Sequence, residues 1–462
     1  MRKRYIVIAL LGVLLGAYAV LRVYLAVAIR TELDALREMG YPATAAELNA
    51  WYATPPEGQN AADEYFLAFD ALTDEGIEDE LLPISGYNPP ECPLDEVLPE
   101  AVLTEIGRYI ELNAVALEHL HRAAQMPDCR WPWDFERPPD FDPEQVYSSL
   151  DLFQGMRRGA RILTEEALYY RDTGDTDAAL RSVADTLAVG EALAGHPSLM
   201  FYFVASSIDR MASDSLQSLM ATTKLTDAQL VTMQQTFREA EQHLSLARAI
   251  VGEILEFKPM LDTMSTWADQ ARDETPYGLK ERALNYVGLA GLLIYRYSGV
   301  EDSNHLHILR GARYYIALCA LPPQEAIERA QEPFPNSVWG DVFETSKILI
   351  DMNFAVFNNL FGSPARNKAQ FRNVDTALAV ERYRLDFGRL PKELEDLVPE
   401  YLAAAPLDPF DGQPLRYGRE DEGFKIYSVG RNLIDDGGRD TRDADGEEDD
   451  IVFSVFRQET RE

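Results

Sequence analysis

Basic residues are few in this chain. Its 462 residues carry 43 Lys and Arg against 77 Asp and Glu, which leaves a formal charge of −34. Phosphate contacts need clustered Lys and Arg, so this balance excludes a nucleic-acid binder and disfavours electrostatic adhesion to anionic lipid. Cysteine is rarer still. Cys92, Cys129 and Cys319 allow at most one intramolecular bridge, and their spacing matches neither a zinc site nor a Cys-x-x-Cys redox pair. Histidine occurs six times and includes two His-x-His pairs, His119 with His121 and His305 with His307. On a helix such residues point about 200° apart and cannot share a metal, whereas on a strand they can. The sequence also contains no Walker loop, Gly-x-Ser-x-Gly elbow, His-Glu-x-x-His or dinucleotide fingerprint. No catalytic residue is therefore assigned. The expectation is a noncatalytic protein, with an enzyme bearing an unrecognised site in its helical region as an alternative.

Apolar residues are not lacking, at 46% of the chain, which is enough for a substantial core. Long apolar runs are scarce apart from the first. Tyr5 to Leu21 is an uncharged 17-residue run of Ala, Val, Ile, Leu, Gly and Tyr, preceded by Arg2, Lys3 and Arg4. At 1.5 Å per residue it reaches about 26 Å, and continuing to Ile29 with Arg22 snorkelling completes a ~30 Å hydrocarbon core. A transmembrane anchor is the favoured reading. The alternative is a cleaved signal peptide, since Ala17-Tyr18-Ala19 has the form of a cleavage site. The positive-inside rule keeps the basic terminus in the cytoplasm and places the rest of the chain outside. Gly12 and Gly16 form a Gly-x-x-x-Gly pair that lets two such helices approach as a homodimer. A second apolar run, Val287 to Tyr295, has nine residues, too few to span, and reads as a buried helix.

From Thr31 to about Phe361 the pattern is helical. Thr44 with Glu47 and Thr226 with Gln229 fit capping boxes. Phe153, Met156, Ala160, Leu163 and Ala167 form an apolar stripe, Thr173-Gly174-Asp175 a turn, and Leu180, Val183 and Leu187 a second stripe, which together predict an α-hairpin. The segment Ala167 to Val189 resembles the junction of a tetratricopeptide-type hairpin, although no second copy follows at a period of about 34 residues. Trp131, Trp133, Phe135 and Phe141, set among Pro132, Pro138, Pro139 and Pro143, either staple an irregular loop to the body or line a ligand groove. Cys92 and Cys129 lie in Pro-containing loops as well, and either bridge or remain free thiols.

Beyond Ser363-Pro364 the pattern becomes one helix followed by short alternating runs. The helix has a face of Phe371, Val374, Leu378 and Leu385 and ends at Gly388. A short helix around Lys392 to Leu397 and a turn through Pro406, Pro409 and Gly412 follow. The strands are expected at Leu415 to Tyr417, Phe424 to Val429 and Ile451 to Phe456.

Four segments, ALAVERYRLDFGRLP (Ala377 to Pro391), LVPEYL (Leu397 to Leu402), PLDPFDGQPLRY (Pro406 to Tyr417) and FKIYSVG (Phe424 to Gly430), are similar to the globular part of the major pseudopilin of type II secretion systems, the G subunit. The resemblance covers roughly the last 90 residues. It implies a calcium ion in the loop after Tyr-Ser-x-Gly, where this chain has Asn432, Asp435, Asp436, Asp440, Asp443, Asp445, Asp449 and Asp450 as candidate ligands. Nine carboxylates fall between Asp435 and Asp450, and they repel one another without a counterion. Calcium suits such a set because it takes six to eight oxygens in flexible geometry. The alternative is a solvated acidic loop. The chain departs from the family in having Asn432 at a position usually aspartate, a longer loop, and no peptidase site near Tyr5 to Leu21.

The expected architecture is mainly α. Residues 1–30 form a transmembrane anchor, 31–362 a large α-helical domain, and 363–462 a small α+β pseudopilin-like domain with an antiparallel sheet. The expected protein is a single-pass scaffold of the bacterial inner membrane with its C-terminal domain extracytoplasmic and protein partners. Secretion-system components are the partners that the resemblance implies.

Overall fold

The computed structural model describes residues 2–52, 54–87, 89–90, 93, 96–136, 149–256, 299–332, 360–420, 423–439 and 450–456. The run Val287 to Tyr295, Phe141, Pro138, Pro139, Pro143, Cys92 and the loop acids Asp440, Asp443, Asp445 and Asp449 lie outside them. Cys129 and Cys319 are free thiols.

The first helix, α1 (Arg2–Glu38), is long and apolar enough to cross a membrane. Its first half is bare, with Ile8, Val13, Leu15 and Val20 all exposed. Its second half becomes part of the protein. Leu25 and Leu36 are buried against α11 (Val300–Cys319), and Glu32 accepts from Arg310 at 3.2 Å and Arg313 at 2.7 Å. Arg22 pairs with Asp302 at 2.6 Å.

Between these helices the chain builds a layered bundle: α2 (Ala45–Trp51), α3 (Ala61–Ala71), α4 (Glu100–Leu112), α5 (Ala114–Ala124), α6 (Ser149–Thr173), α7 (Thr176–Ala194), α8 (Leu199–Thr222), α9 (Asp227–Ala240) and α10 (residues 246–256). Helix α12 (Pro323–Ala330) follows α11. The predicted hairpin is α6–α7. Its stripe residues Met156, Ala160, Leu163 and Leu187 are buried, Gly174 takes the left-handed conformation the turn requires (φ +90°), and Asp175 caps α7 by accepting from the Ala178 N–H at 3.0 Å. Thr226 and Gln229 form a complete capping box. The Thr44 cap forms as well, but Glu47 accepts from the Ala43 N–H and from Arg37 instead of closing the box on Thr44, because Arg37 at the end of α1 lies within reach. The described part of the aromatic loop, Trp131 to Phe135, is a staple. Trp131 and Phe135 are fully buried, and the Trp131 indole donates to the Ala192 carbonyl at 3.0 Å.

The last helix, α13 (Gly362–Phe387), ends at Gly388 with φ +65°. Strands β1 (Arg416–Glu420), β2 (Gly423–Ser428) and β3 (Ile451–Val455) form an antiparallel sheet in that order, with Tyr417 opposite Ile426 and Ile426 opposite Phe453. Phe371, Val374 and Leu378 of α13 are buried as expected, whereas Leu385 is exposed near the helix end. Ala377, Ala379 and Val380 are buried too, since α13 is covered by the sheet on one side and by α9 and α8 on others. One apolar core therefore runs from Leu180 and Val183 of α7 through Leu216 and Phe237 to Phe424, Ile426 and Val455.

Candidate functional site

The acidic loop after β2 is the first candidate. Glycines and carboxylates shape it locally. Asp435 Oδ1 accepts from the Gly437 N–H at 3.0 Å and from the Tyr427 hydroxyl at 3.1 Å, while Asn432 donates to Asp436 at 3.4 Å. Both Gly437 and Gly438 have positive φ, which turns the chain back toward β3. Asp450, just before β3, is fully buried. Its Oδ2 accepts from the Gly438 N–H at 2.7 Å, its own N–H donates to the Arg439 carbonyl at 3.0 Å, and its Oδ1 has no hydrogen-bond partner among the described residues. Burial raises the Asp450 pKa, an effect opposed by the N–H groups of Gly438, Arg439 and Asp436 and reinforced by the nearby charge of Asp435.

Of the eight predicted ligands, Asn432, Asp435, Asp436 and Asp450 are thus on described backbone, and the other four lie outside it. Among the described residues no three His, Cys, Asp or Glu side chains converge closely enough to hold a metal ion.

A neighbouring carboxylate has a different role. Asp408, also fully buried, accepts from the Phe410 N–H, the Ser428 hydroxyl, the Val429 N–H and Arg416, all at 2.8 to 3.0 Å. It locks the Asp-Pro turn onto the end of β2. That turn therefore holds the base from which the acidic loop departs.

The helical body contains a second polar cluster that sequence reasoning did not assemble. His121 of α5 lies between Asp185 of α7, at 2.6 Å from Nδ1, and Glu166 of α6, at 3.1 Å from Nε2. Ser182 donates its hydroxyl to Glu166 at 2.6 Å. His119 points elsewhere, to Glu64 of α3 at 2.6 Å, as the helical rotation requires. Burial opposes the charged imidazole, but the hydrogen bonds of Asp185 and Glu166 outweigh it and raise the His121 pKa to about 9. Its contribution to stability is therefore complete below the unfolded value near 6.5 and is lost as pH rises through about 9. Both nitrogens are engaged by carboxylates, and Ser182 bonds to a carboxylate and not to the imidazole. This geometry is an interhelical ion network. The helical period alone does not reveal it, because its members come from three helices.

Glu165, one residue from Glu166, faces the other way. Its Oε1 accepts from the Ile84 and Ser85 N–H groups at 2.9 and 2.8 Å, and its Oε2 has no well-formed hydrogen bond among the described residues. Burial raises its pKa to about 7, with the two N–H groups and the Ser85 hydroxyl pulling the other way. A carboxyl raised in the folded state binds its proton more tightly there than when unfolded. It therefore favours folding below pH about 4.5, and that advantage is lost as pH rises through about 7. Glu165→Gln keeps the acceptor and removes the titration. We expect the variant to match the parent near pH 5 and to exceed it by roughly 1 to 3 kcal/mol at pH 8. Urea unfolding at the two pH values checks this, and an equal difference at both would contradict it.

A polar crevice of about 30 Å³ between α8, α13 and β3 is lined by Arg210, Asp214, Gln217, Arg366, Gln370 and Asn373. It is about tenfold smaller than an ordinary small-molecule pocket. Two of its walls close the free edge of the sheet, where Gln217 accepts from the Ser454 N–H and Asn373 donates to the Ile451 carbonyl.

No family model, curated protein or solved structure matches this chain.

Proposed function

We propose that the chain is a membrane-anchored, extracytoplasmic interaction protein without catalytic activity, held in a bacterial inner membrane. Its C-terminal unit is a pseudopilin-like module whose acidic loop takes calcium. The observation that carries the calcium reading is Asp450, a fully buried carboxylate whose Oδ1 has no hydrogen-bond partner among the described residues, beside a loop rich in further acids. A buried, half-satisfied carboxylate is costly, and a hard dication offsets that cost. Asp450, Asp435 and Asp436 do not converge as they stand, so the ion would draw their side-chain oxygens and that of Asn432 together, with Asp440, Asp443, Asp445 and Asp449 completing the set. The ion would supply countercharge and order the loop. The order of helix, Asp-Pro turn and antiparallel sheet supports the pseudopilin-like reading.

Titrating calcium into the full chain in detergent tests the first part. At tenfold excess over Kd the gain is about 1.4 kcal/mol, read as a rise in melting temperature that magnesium does not reproduce and Asp450→Asn abolishes. No shift at millimolar calcium would remove the ion from this reading.

Leu433 and Ile434 are exposed on the same loop, and this favours a second reading in which the unit docks on a secretion-system partner. Purified pseudopilin binding to the chain, lost in Ile434→Asp, is the expected result. Gly12 and Gly16 lie on the bare half of α1, where an added Cβ would meet nothing within 4 Å, consistent with a helix face left open for a second copy.

A further inference from the structure

The change in surroundings along α1 marks where the bilayer ends and what stands beside it there. Arg2, Lys3 and Arg4 precede the apolar run and Arg22 follows it. The 18 steps from Arg4 to Arg22 rise about 27 Å, close to the ~30 Å of a hydrocarbon core, so the core has little room to slide along the helix. On one side of α1 the bare apolar stripe does not stop at Arg22. Val20, Val23, Tyr24 and Val27 remain exposed, at 70%, 65%, 43% and 61%. They recur at helical spacing, and Tyr24 is the kind of residue that sits at headgroup level. Beyond Arg22 the stripe continues to Val27 over about 7.5 Å of rise, comparable with the polar layer on one side of a bilayer.

On the opposite side of α1, at the same height, stands the start of α11. Gly299 caps it in the left-handed conformation, and an added Cβ there would lie 3.4 Å from Leu25, 3.8 Å from Leu21 and 3.9 Å from Arg22. Asp302 holds Arg22 at 2.6 Å. Farther along, Glu32 clamps Arg310 and Arg313. The two helices are thus joined by ion pairs at both ends of a buried apolar seam, and α1 is no loose tether.

We propose that the surface formed by Val20–Val27 of α1 and the first turn of α11, Gly299–Ser303, lies in the headgroup layer of the extracytoplasmic leaflet. The helical body then rests on the lipid surface through α11 at a set orientation. This inference rests on the reading of α1 as a membrane anchor, and its test separates the two.

The full chain is reconstituted in nanodiscs of phosphatidylethanolamine and phosphatidylglycerol. Spin labels are placed by Val13→Cys, Val23→Cys, Ser303→Cys and Val231→Cys in a background whose native cysteines are Ala, each checked by circular dichroism. Relaxation by oxygen against a water-soluble nickel chelate reports depth. The expected order is Val13 deepest, Val23 and Ser303 at headgroup level with an oxygen-to-nickel ratio several-fold above that of Val231, and Val231 in water. A label at position 303 as wet as one at 231, with 13 still deep, would overturn the surface contact and leave the anchor standing. A wet label at 13 would remove the anchor reading and the contact with it. If the cysteine-free background does not fold, a photocrosslinking residue at 13, 303 and 231 of the native chain gives the same decision. Lipid adducts at 13 and 303 only support the contact, and adducts at 13 alone refute it.

Discussion

Replacing Asp408 by alanine is expected to cost about 3 to 5 kcal/mol, because it removes the acceptor of four buried or half-buried donors at once. The Phe410 and Val429 N–H groups, the Ser428 hydroxyl and one Arg416 nitrogen all end on this carboxylate. The turn has further support. The Asp408 N–H donates to the Gln413 carbonyl at 2.7 Å, the Gly412 N–H donates to the Asp408 carbonyl at 2.9 Å, and Gly412 takes φ +70°. Backbone geometry alone therefore survives the substitution, while the end of β2 loses its partner. Asp408→Asn keeps one good acceptor and turns an amide N–H₂ toward other donors, so it should fall between parent and alanine variant. Hydrogen exchange of the amides from Phe424 to Gly430, together with urea unfolding of the full chain, checks the result. Protection unchanged in Asp408→Ala would show that the turn holds without its carboxylate.

The second large effect is expected at Arg171 and Asp172, an ion pair whose side chains are 1% and 2% exposed. Arg171 Nε lies 2.6 Å from Asp172, and its other nitrogens reach Ser218 of α8 and the Glu96 carbonyl. Asp172 in turn accepts from the Leu98 N–H at 2.8 Å. The pair thus joins the end of α6 both to α8 and to the chain leading into α4. Arg171→Met leaves the buried Asp172 carboxylate with fewer donors, and Asp172→Asn takes from the buried Arg171 the carboxylate it holds at 2.6 Å. Each should cost about 3 to 5 kcal/mol, since breaking one side of a buried ion pair costs more than the pair's net contribution. The double variant should be less destabilised than the sum of the singles by 1 kcal/mol or more. Urea midpoints of the four proteins give this coupling directly, and additive losses would mean that the two charges act separately.

The apolar first helix, the α6–α7 hairpin and the C-terminal order of helix and strands were all legible in the residues. Each depends on interactions within a few residues of chain. The 3.6-residue period of Met156, Ala160 and Leu163, the glycine at 174 and the glycine at 388 state a helix, a turn and a stop without reference to the rest of the molecule. Leu385 was read as part of a buried face and is exposed, because periodicity predicts which side of a helix is apolar and not how far the neighbouring layer extends. His119 and His121 were visible as a pair that cannot share a metal on a helix. Their actual partners, Glu64 on one side and Asp185 with Glu166 on the other, required three further helices to be placed.

By itself the sequence determined the elements, a charge of −34, and an apolar first helix of spanning length. Only the tertiary structure decided that Arg22 meets Asp302, that the core beneath the sheet continues into α7, α8 and α9, and that Asp408 and Asp450, equivalent as residue types, have opposite circumstances. Asp408 has four donors, and Asp450 has an oxygen with none among the described residues. The physical reason is the range of the forces involved. Helix, strand and turn preferences act over a few bonds, whereas burial and hydrogen-bond satisfaction are set by whichever distant segment closes over the group.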